Sequence, residues 1–129
     1  MTLTPDQLRA RTKQFAVGVI RLFRALPRVE EARIIGRQLL RSSTSVAANY
    51  RAAGRARSRA EFVSKIGTVV EEADETVFWL ELLSDADIVP PAKLEELRRE
   101  ANELLAIFAA SQRTARENKA RSPDDPMAR

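Results

Sequence analysis

Two residue types that commonly build reactive sites are missing from this 129-residue chain, which contains no cysteine and no histidine. Without cysteine there is no disulfide, no thiolate metal site and no cysteine nucleophile. Without histidine the chain lacks the commonest general base and the commonest transition-metal ligand. Glycine is also scarce: the four glycines are isolated from one another, so the sequence contains no glycine-rich phosphate loop.

Long hydrophobic runs are absent as well. No uncharged apolar segment approaches the roughly 18 residues that a membrane span requires. Near the start of the chain, Arg9, Arg11, Lys13 and Arg21 interrupt any signal-peptide core. We therefore expect a cytoplasmic protein with no membrane partner.

Charge is divided unevenly between the two halves of the chain. Residues 1–60 contain 13 Lys/Arg against 3 Asp/Glu, whereas residues 61–129 contain 9 against 15. The net charge of +4 therefore hides a strongly basic half and an acidic half. Such asymmetry within a small protein favours a polyanionic partner, self-association, or both.

Local signals predict two helices in the basic half. Thr4 followed by Pro5 and by Gln7 is typical of a helix N-terminus, and Pro27 ends this first helix. A second helix is predicted over Val29–Ala56, because apolar residues recur there with helical spacing.

Two further helices are predicted in the acidic half. The third opens at the capping box Ser58–Glu61, although it is also possible to read it as nearly continuous with the second. Pro90-Pro91 stops the third helix and starts the fourth. No segment alternates with the period of a strand, so we predict an all-α protein, an antiparallel up-and-down four-helix bundle over residues 1–117. Residues 118–129 are predicted to be a disordered tail, basic and containing proline.

The second predicted helix presents a stripe of arginines opposite its apolar face. At about 100° per residue, five of them fall within about 80° of one another, and two more extend the charge into the next turn. Guanidinium groups bind phosphates through paired hydrogen bonds, so a track on RNA or DNA is one interpretation. A solvated helix face, or pairing with carboxylates of the third helix, explains the stripe equally well. The candidate nucleic-acid-binding residues are Arg33, Arg37, Arg41, Arg51, Arg55, Arg57 and Arg59.

The third predicted helix carries a carboxylate cluster. Carboxylates four residues apart, such as Glu71 and Glu75, can share a divalent ion or do acid–base work. Metal sites in four-helix bundles, however, combine glutamates with histidine, which this chain lacks. We therefore expect no metal and no cofactor, and we assign the cluster to pairing with the arginine stripe of a neighbouring helix or subunit.

An aromatic patch lies beside these carboxylates. Phe78, Trp79 and Leu82 are predicted to project away from the apolar stripe of the third helix, as expected of a protein interface. Asn49, in the middle of the second helix, is a candidate for a hydrogen bond between helices or subunits. The predicted oligomer interface comprises Asn49, Glu71, Glu72, Asp74, Glu75, Phe78, Trp79 and Leu82.

Catalysis finds little support in the sequence. The hydroxyl run Ser42–Ser45 has no evident general base near it in the sequence and is better explained as small residues that let helices pack closely. Lys65 would be a nucleophile only if it were desolvated. We expect no enzyme.

Three pieces of sequence between Leu39 and Leu83 form a joint pattern: RSSTSVAAN at residues 41–49, RSRAEF at 57–62 and EEADET at 71–76. Together they resemble the bacterial four-helix-bundle family that includes proteins encoded within intervening sequences of 23S ribosomal RNA genes. The resemblance implies an antiparallel four-helix bundle without enzymatic activity that assembles into a ring, typically a homopentamer. Related basic pentamers accompany reverse transcriptases in diversity-generating retroelements and are thought to bind nucleic acid there. Ala52 and Ala53 replace the acidic residue and the glycine that are commoner in the family, so no contact of that acidic residue is carried over.

These observations predict a non-enzymatic helical bundle that binds structured RNA or DNA through its arginine face, and the resemblance implies that it forms a ring, a pentamer. The alternative is a structural or adaptor protein that binds a protein partner and uses its arginines in salt bridges between subunits.

Overall fold

The computed structural model describes residues 3–121, with side chains for residues 3–118, and consists of four helices and no strand over that range. The helices are α1 (Pro5–Ala25), α2 (Glu30–Ala53), α3 (Arg59–Asp85) and α4 (Pro91–Arg121). α1 lies against α2 and α4, and α3 lies against the same two helices. Connections of four or five residues join successive helices, and connections this short reverse the chain. The prediction of an all-α four-helix bundle is confirmed.

The predicted helix starts differ in how fully they are capped. At α1 both halves of the capping box form: Thr4 Oγ1 accepts from the Gln7 N–H, and Gln7 Oε1 accepts from the Thr4 N–H at 2.8 Å. At α3, Ser58 Oγ accepts from the Glu61 N–H at 3.1 Å. The Glu61 carboxylate reaches one residue further than predicted, to the Arg57 N–H at 3.4 Å. Both helices begin where the sequence predicts, because one side-chain acceptor is enough to fix an N-terminus.

The ends of the helices differ from the prediction by a few residues. α2 ends at Ala53 rather than near Ala56, and a five-residue connection separates it from α3, so the two helices are not continuous. α4 continues through Arg121, so that residues 118–121, predicted to begin the tail, are helical. The remainder of the predicted tail lies outside the described residues.

The core is a single apolar cluster with residues from all four helices. Phe108, Leu39, Ile66 and Leu80 are at most 1% exposed. Burying each such side chain contributes about 1.5–3 kcal/mol relative to leaving it in water. The rings of Tyr50 and Phe108 meet across the centre with 4.9 Å between their centroids.

The hydroxyl run of α2 is part of this packing. Ser42 and Ser43 are fully buried, and each hydroxyl lies 3.2 Å from the carbonyl oxygen three residues earlier. Thr76 Oγ1 on α3 lies 2.8 Å from Ser42 Oγ and 2.7 Å from the Glu72 carbonyl oxygen. Small side chains whose hydroxyls have hydrogen-bond partners allow α2 and α3 to approach closely, as predicted from the sequence for this run.

Within the described part of the chain, no helix combines the length and the apolarity needed to cross a bilayer.

Candidate nucleic-acid interface

The seven predicted arginines lie on three successive segments. Arg33, Arg37, Arg41 and Arg51 belong to α2, two others belong to the connection that follows, and Arg59 is the first residue of α3. Their surroundings differ enough that they do not form one continuous track.

Arg41 has carboxylate partners on the neighbouring helix. Its Nη2 hydrogen bonds to the Glu75 carboxylate, and its Nη1 lies 3.6 Å from Glu72 Oε2. Both carboxylates belong to α3, which packs beside α2. For this residue the structure shows the pairing with carboxylates of the third helix that the sequence left open.

Arg33 and Arg37 form a basic surface at the end of the bundle where α1 joins α2. The Arg33 guanidinium lies over the Phe23 ring, 4.6 Å from its centroid, an arrangement that favours a cation. Arg37 is exposed. Together with Arg28 they border a shallow depression that also contains Glu30 and Ile34, the latter 50% exposed. Three positive charges therefore share the depression with one carboxylate. Neither Arg33 nor Arg37 has an ion pair with any described residue.

Arg51 and Arg55 lie toward the other end of α2, beside an open groove between α1 and α2. At 1.5 Å per residue, about 21 Å of helix separates Arg37 from Arg51. The opposite rim of the groove is formed by Arg9 and Lys13 of α1. The basic surface therefore consists of two separate patches, with the compensated Arg41 between them.

The last two candidates flank the N-terminus of α3. Arg57 is exposed, and its backbone N–H rather than its side chain contacts Glu61. Arg59 is half-buried and makes contacts within the chain. Both extend the basic charge toward the end of the bundle where α2 meets α3.

The predicted interface carboxylates of α3 divide into two groups. Glu72 and Glu75 turn toward α2 and pair with Arg41. Glu71 and Asp74 are exposed and have no ion pair in the described structure. In residues 3–118, no group of three or more acidic residues is arranged to hold a metal ion.

The three apolar members of the predicted interface are exposed to different extents. Phe78 is 52% exposed and makes an edge-on contact with Trp79 at 5.0 Å between ring centroids. Trp79 is half-buried, packs against the core cluster and donates from Nε1 to Glu75 Oε1 at 3.3 Å. Leu82 is also half-buried. Trp79 therefore projects less from the bundle than its position outside the apolar stripe of α3 predicts. The reason is that it lies at the edge of α3 that contacts α2.

Asn49 hydrogen bonds within its own helix. Its Nδ2 donates to the Ser45 carbonyl oxygen at 2.9 Å and lies 2.8 Å from Ser45 Oγ. These bonds do not link it to another helix, so a contact of Asn49 between subunits stays a prediction.

Two features of the surface were not found in the sequence. The first is the basic rim formed by Arg9 and Lys13, where the signal was their spacing of four residues on α1. The buried Tyr50 lies close enough to Arg9 to feel its charge: burial raises the pKa of this tyrosine, and Arg9 opposes that effect. The rim becomes a site only when α2 brings Arg51 and Arg55 alongside it.

The second feature is an ion pair between α1 and α4. Arg11 donates to both carboxylate oxygens of Glu100 at 2.7 Å, and it also contacts Glu103. Hydrogen bonding to Glu100 raises the pKa of Arg11, so its charge is fixed. No local pattern connects residues 89 positions apart, so this ion pair could not be predicted from the sequence.

Comparison with known proteins agrees with this fold. The profile of a family described as 23S rRNA-intervening sequence protein matches residues 7–110. A crystal structure of a protein of unknown function from the S23 ribosomal protein family, from Bacteroides thetaiotaomicron, is similar to this chain. The two are 30% identical with a TM-score of 0.76, and the match covers 81% of this chain and 97% of that chain. No curated protein matches the chain.

Proposed function

The chain belongs to the 23S rRNA-intervening sequence protein family, and we propose that this member is a non-enzymatic, oligomeric helical bundle that binds structured RNA or DNA. The phosphate contacts are assigned first to Arg33 and Arg37. Assembly into a ring, with the five copies that the family resemblance implies, is part of the proposal.

The observation that carries the proposal is the absence of carboxylate partners for Arg33 and Arg37 among the described residues, whereas Arg11 and Arg41 have such partners. A guanidinium without a carboxylate partner keeps its donors available for phosphate oxygens; Arg37 is exposed, and Arg33 is half-buried over the Phe23 ring. Arg28 adds a third positive charge to the same depression, which outweighs the one carboxylate there, Glu30. A cluster of this kind supports sequence-tolerant binding to a nucleic-acid backbone.

Assembly strengthens such a surface, because each copy adds an identical basic patch. Several weak phosphate contacts on one rigid ring act together, and their joint affinity exceeds that of a single subunit. The proposal therefore links oligomerisation to nucleic-acid binding without any catalytic step. A cytoplasmic location stays a prediction.

The test is the double variant Arg33→Glu/Arg37→Glu, measured by binding of a labelled structured RNA over a series of salt concentrations. We expect affinity at low salt to fall more than about ten-fold, with the slope of log affinity against log salt smaller by about 1.8, since each lost phosphate contact removes about 0.9. Circular dichroism should show unchanged helicity.

The matched control is Arg113→Glu/Arg116→Glu, which changes net charge equally at exposed positions of α4. We expect it to affect affinity several-fold less than the first variant. Equal effects of the two variants would show that net charge alone is responsible, and no effect of either would rule out the assigned surface.

The pairing of Arg41 favours a second candidate, a structural or adaptor protein whose arginines make salt bridges to carboxylates. A protein partner is then the ligand. In that case high salt should dissociate the oligomer rather than release RNA, which sedimentation velocity at two salt concentrations distinguishes.

A further inference from the structure

An open groove between α1 and α2 combines an apolar floor with basic rims. Its volume is about 1000 Å³, and no carboxylate lines it. Val17 and Ile20 of α1 contribute half-buried apolar surface, and the remaining apolar lining consists of alanines, which leave room for a larger side chain from outside. The rims consist of Arg9 and Lys13 on one side and of Arg51 and Arg55 on the other. Arg9 pairs with the exposed Asp6 of its own helix, whereas Lys13, Arg51 and Arg55 have no ion pair with a described residue.

The outer face of α3 has the opposite character. At about 100° per residue, Phe78 points almost directly away from the buried face of the helix, and it is one of the few large apolar side chains among residues 3–118 that are exposed. Leu82 follows one turn later on the same side. Exposed carboxylates without ion pairs in the described structure surround these two residues, namely Glu71, Asp74, Glu81 and Asp85.

We propose that the outer face of α3 of one copy docks into the α1–α2 groove of a second copy. This proposal rests on the assembly included in the proposed function and names the two surfaces that meet. Phe78 enters between the alanines of the groove, and the carboxylates around it meet the basic rims. Each surface supplies what the other lacks, an apolar anchor for an apolar floor and negative charge for positive charge.

The contact joins two different surfaces, so it is heterologous. Every subunit uses its groove once and its α3 face once, and repetition of such a contact produces a ring when the rotation between subunits closes. A groove-to-groove contact would place the basic rims of two copies against each other, so two copies cannot pair in this way.

The docking also divides the arginines by role. Arg51 and Arg55 lie on the rim of the groove and become part of the subunit contact. Arg33 and Arg37, at the other end of α2, remain outside it and stay accessible to phosphates. The two patches that Arg41 separates therefore serve different partners.

The experiment uses two full-length charge-reversal variants and sedimentation velocity. The groove variant is Arg51→Glu/Arg55→Glu, and the face variant is Glu81→Arg/Asp85→Arg. Each variant alone is expected to assemble more than about ten-fold less tightly than the unmodified chain, because like charges then face each other. Thermal unfolding followed by circular dichroism establishes that both variants fold.

An equimolar mixture of the two variants is the decisive sample. Where the two variants alternate, a reversed groove meets a reversed α3 face, and an unmodified groove meets an unmodified α3 face. Assembly is therefore expected to return as mixed pairs and longer alternating chains, whereas a closed ring of five retains one mismatched contact. Variants that assemble like the unmodified chain would overturn the proposal, and so would a mixture that stays dissociated. The controls are Arg113→Glu/Arg116→Glu and Glu95→Arg/Glu96→Arg, exposed pairs of α4 that should leave assembly unchanged.

RNA binding by the same samples separates this inference from the proposed function. The groove variant keeps Arg33 and Arg37, so it should retain the phosphate contacts of a single subunit and lose only the gain that comes from assembly. An unmodified chain that is monomeric yet binds RNA would overturn the docking and the ring assembly but not nucleic-acid binding. An unmodified chain that assembles through these surfaces but does not bind RNA would overturn nucleic-acid binding alone.

Discussion

The two edges of α1 place basic side chains in opposite surroundings. On the edge that faces α4, Arg11 is 27% exposed and holds both oxygens of Glu100 at 2.7 Å. On the edge that faces α2, Lys13 lies across a groove from Arg51, and no carboxylate lines that groove. The first edge is neutralised within the chain. On the second edge Arg9 pairs with Asp6, whereas the charges of Lys13 and Arg51 are left to solvent or to a partner. The difference shows that counting arginines does not reveal a binding surface; their partners do.

The largest effect on stability is expected when the ion pair on the edge of α1 that faces α4 is removed. In Arg11→Met, Glu100 and Glu103 lose their shared cation while they remain beside each other, and hydrogen bonds to charged groups contribute about 1.5–3 kcal/mol each. We expect the free energy of unfolding to fall by about 2 kcal/mol, as measured by urea denaturation.

Arg21→Met is the matched control, because Arg21 is exposed on the same helix and has no ion pair with a described residue. Its unfolding free energy should change by no more than about 0.5 kcal/mol. Similar losses in both variants would mean that the pairing with Glu100 adds nothing, and the two edges of α1 would then be energetically alike.

The sequence predicted the fold because helix boundaries are local. Thr4, Ser58 and Pro91 each act within one helical turn, so the signals for three of the helix starts lie within a few residues of those starts. The apolar stripes between these signals then require the helices to pack together. At the C-terminus of α2 the local signal is Gly54, which caps the helix, and a prediction that runs past this glycine is displaced by about one turn, to Ala56 instead of Ala53.

The site was less predictable because its character depends on neighbours that are distant in sequence. Helical periodicity considers α2 without its neighbours, and on that basis it placed Arg33, Arg37 and Arg41 on one stripe. In the bundle, α1 brings Phe23 to Arg33, and α3 brings carboxylates to Arg41. Of these three arginines, Arg37 is the one that is exposed and has neither a ring contact nor an ion pair with a described residue.

A smaller effect on stability is expected when a carboxylate is introduced into the groove between α1 and α2. Ala48 is exposed, lines the groove and lies three residues before Arg51 on α2. In Ala48→Glu the new carboxylate can pair with Arg51, and pairs at this spacing stabilise a helix by about 0.2–0.5 kcal/mol. We expect that small change to be nearly cancelled by the lower helix propensity of glutamate relative to alanine.

Assembly should respond to Ala48→Glu more than stability does. The new negative charge lies where the α3 carboxylates of a second copy are proposed to dock, so we expect assembly to weaken by about ten-fold. Ala48→Gln is the control for side-chain size, and sedimentation velocity is the measurement. Equal weakening by the two variants would assign the effect to lost space rather than to charge.

A small loss of stability is also expected at Arg41, which is compensated like Arg11 but is 53% exposed. Exposed ion pairs contribute about 0–1 kcal/mol, because water screens them and the side chains lose freedom. Arg41→Gln should therefore lower the unfolding free energy by about 0.5 kcal/mol, a loss that disappears at high salt. Since its charge is already paired with Glu75, RNA affinity should change little, whereas Arg37→Gln should reduce the salt slope by about 0.9. If Arg41→Gln reduced the slope as much as Arg37→Gln, the pair with Glu75 would open when RNA binds, and pairing in the free chain would not identify the arginines that bind it.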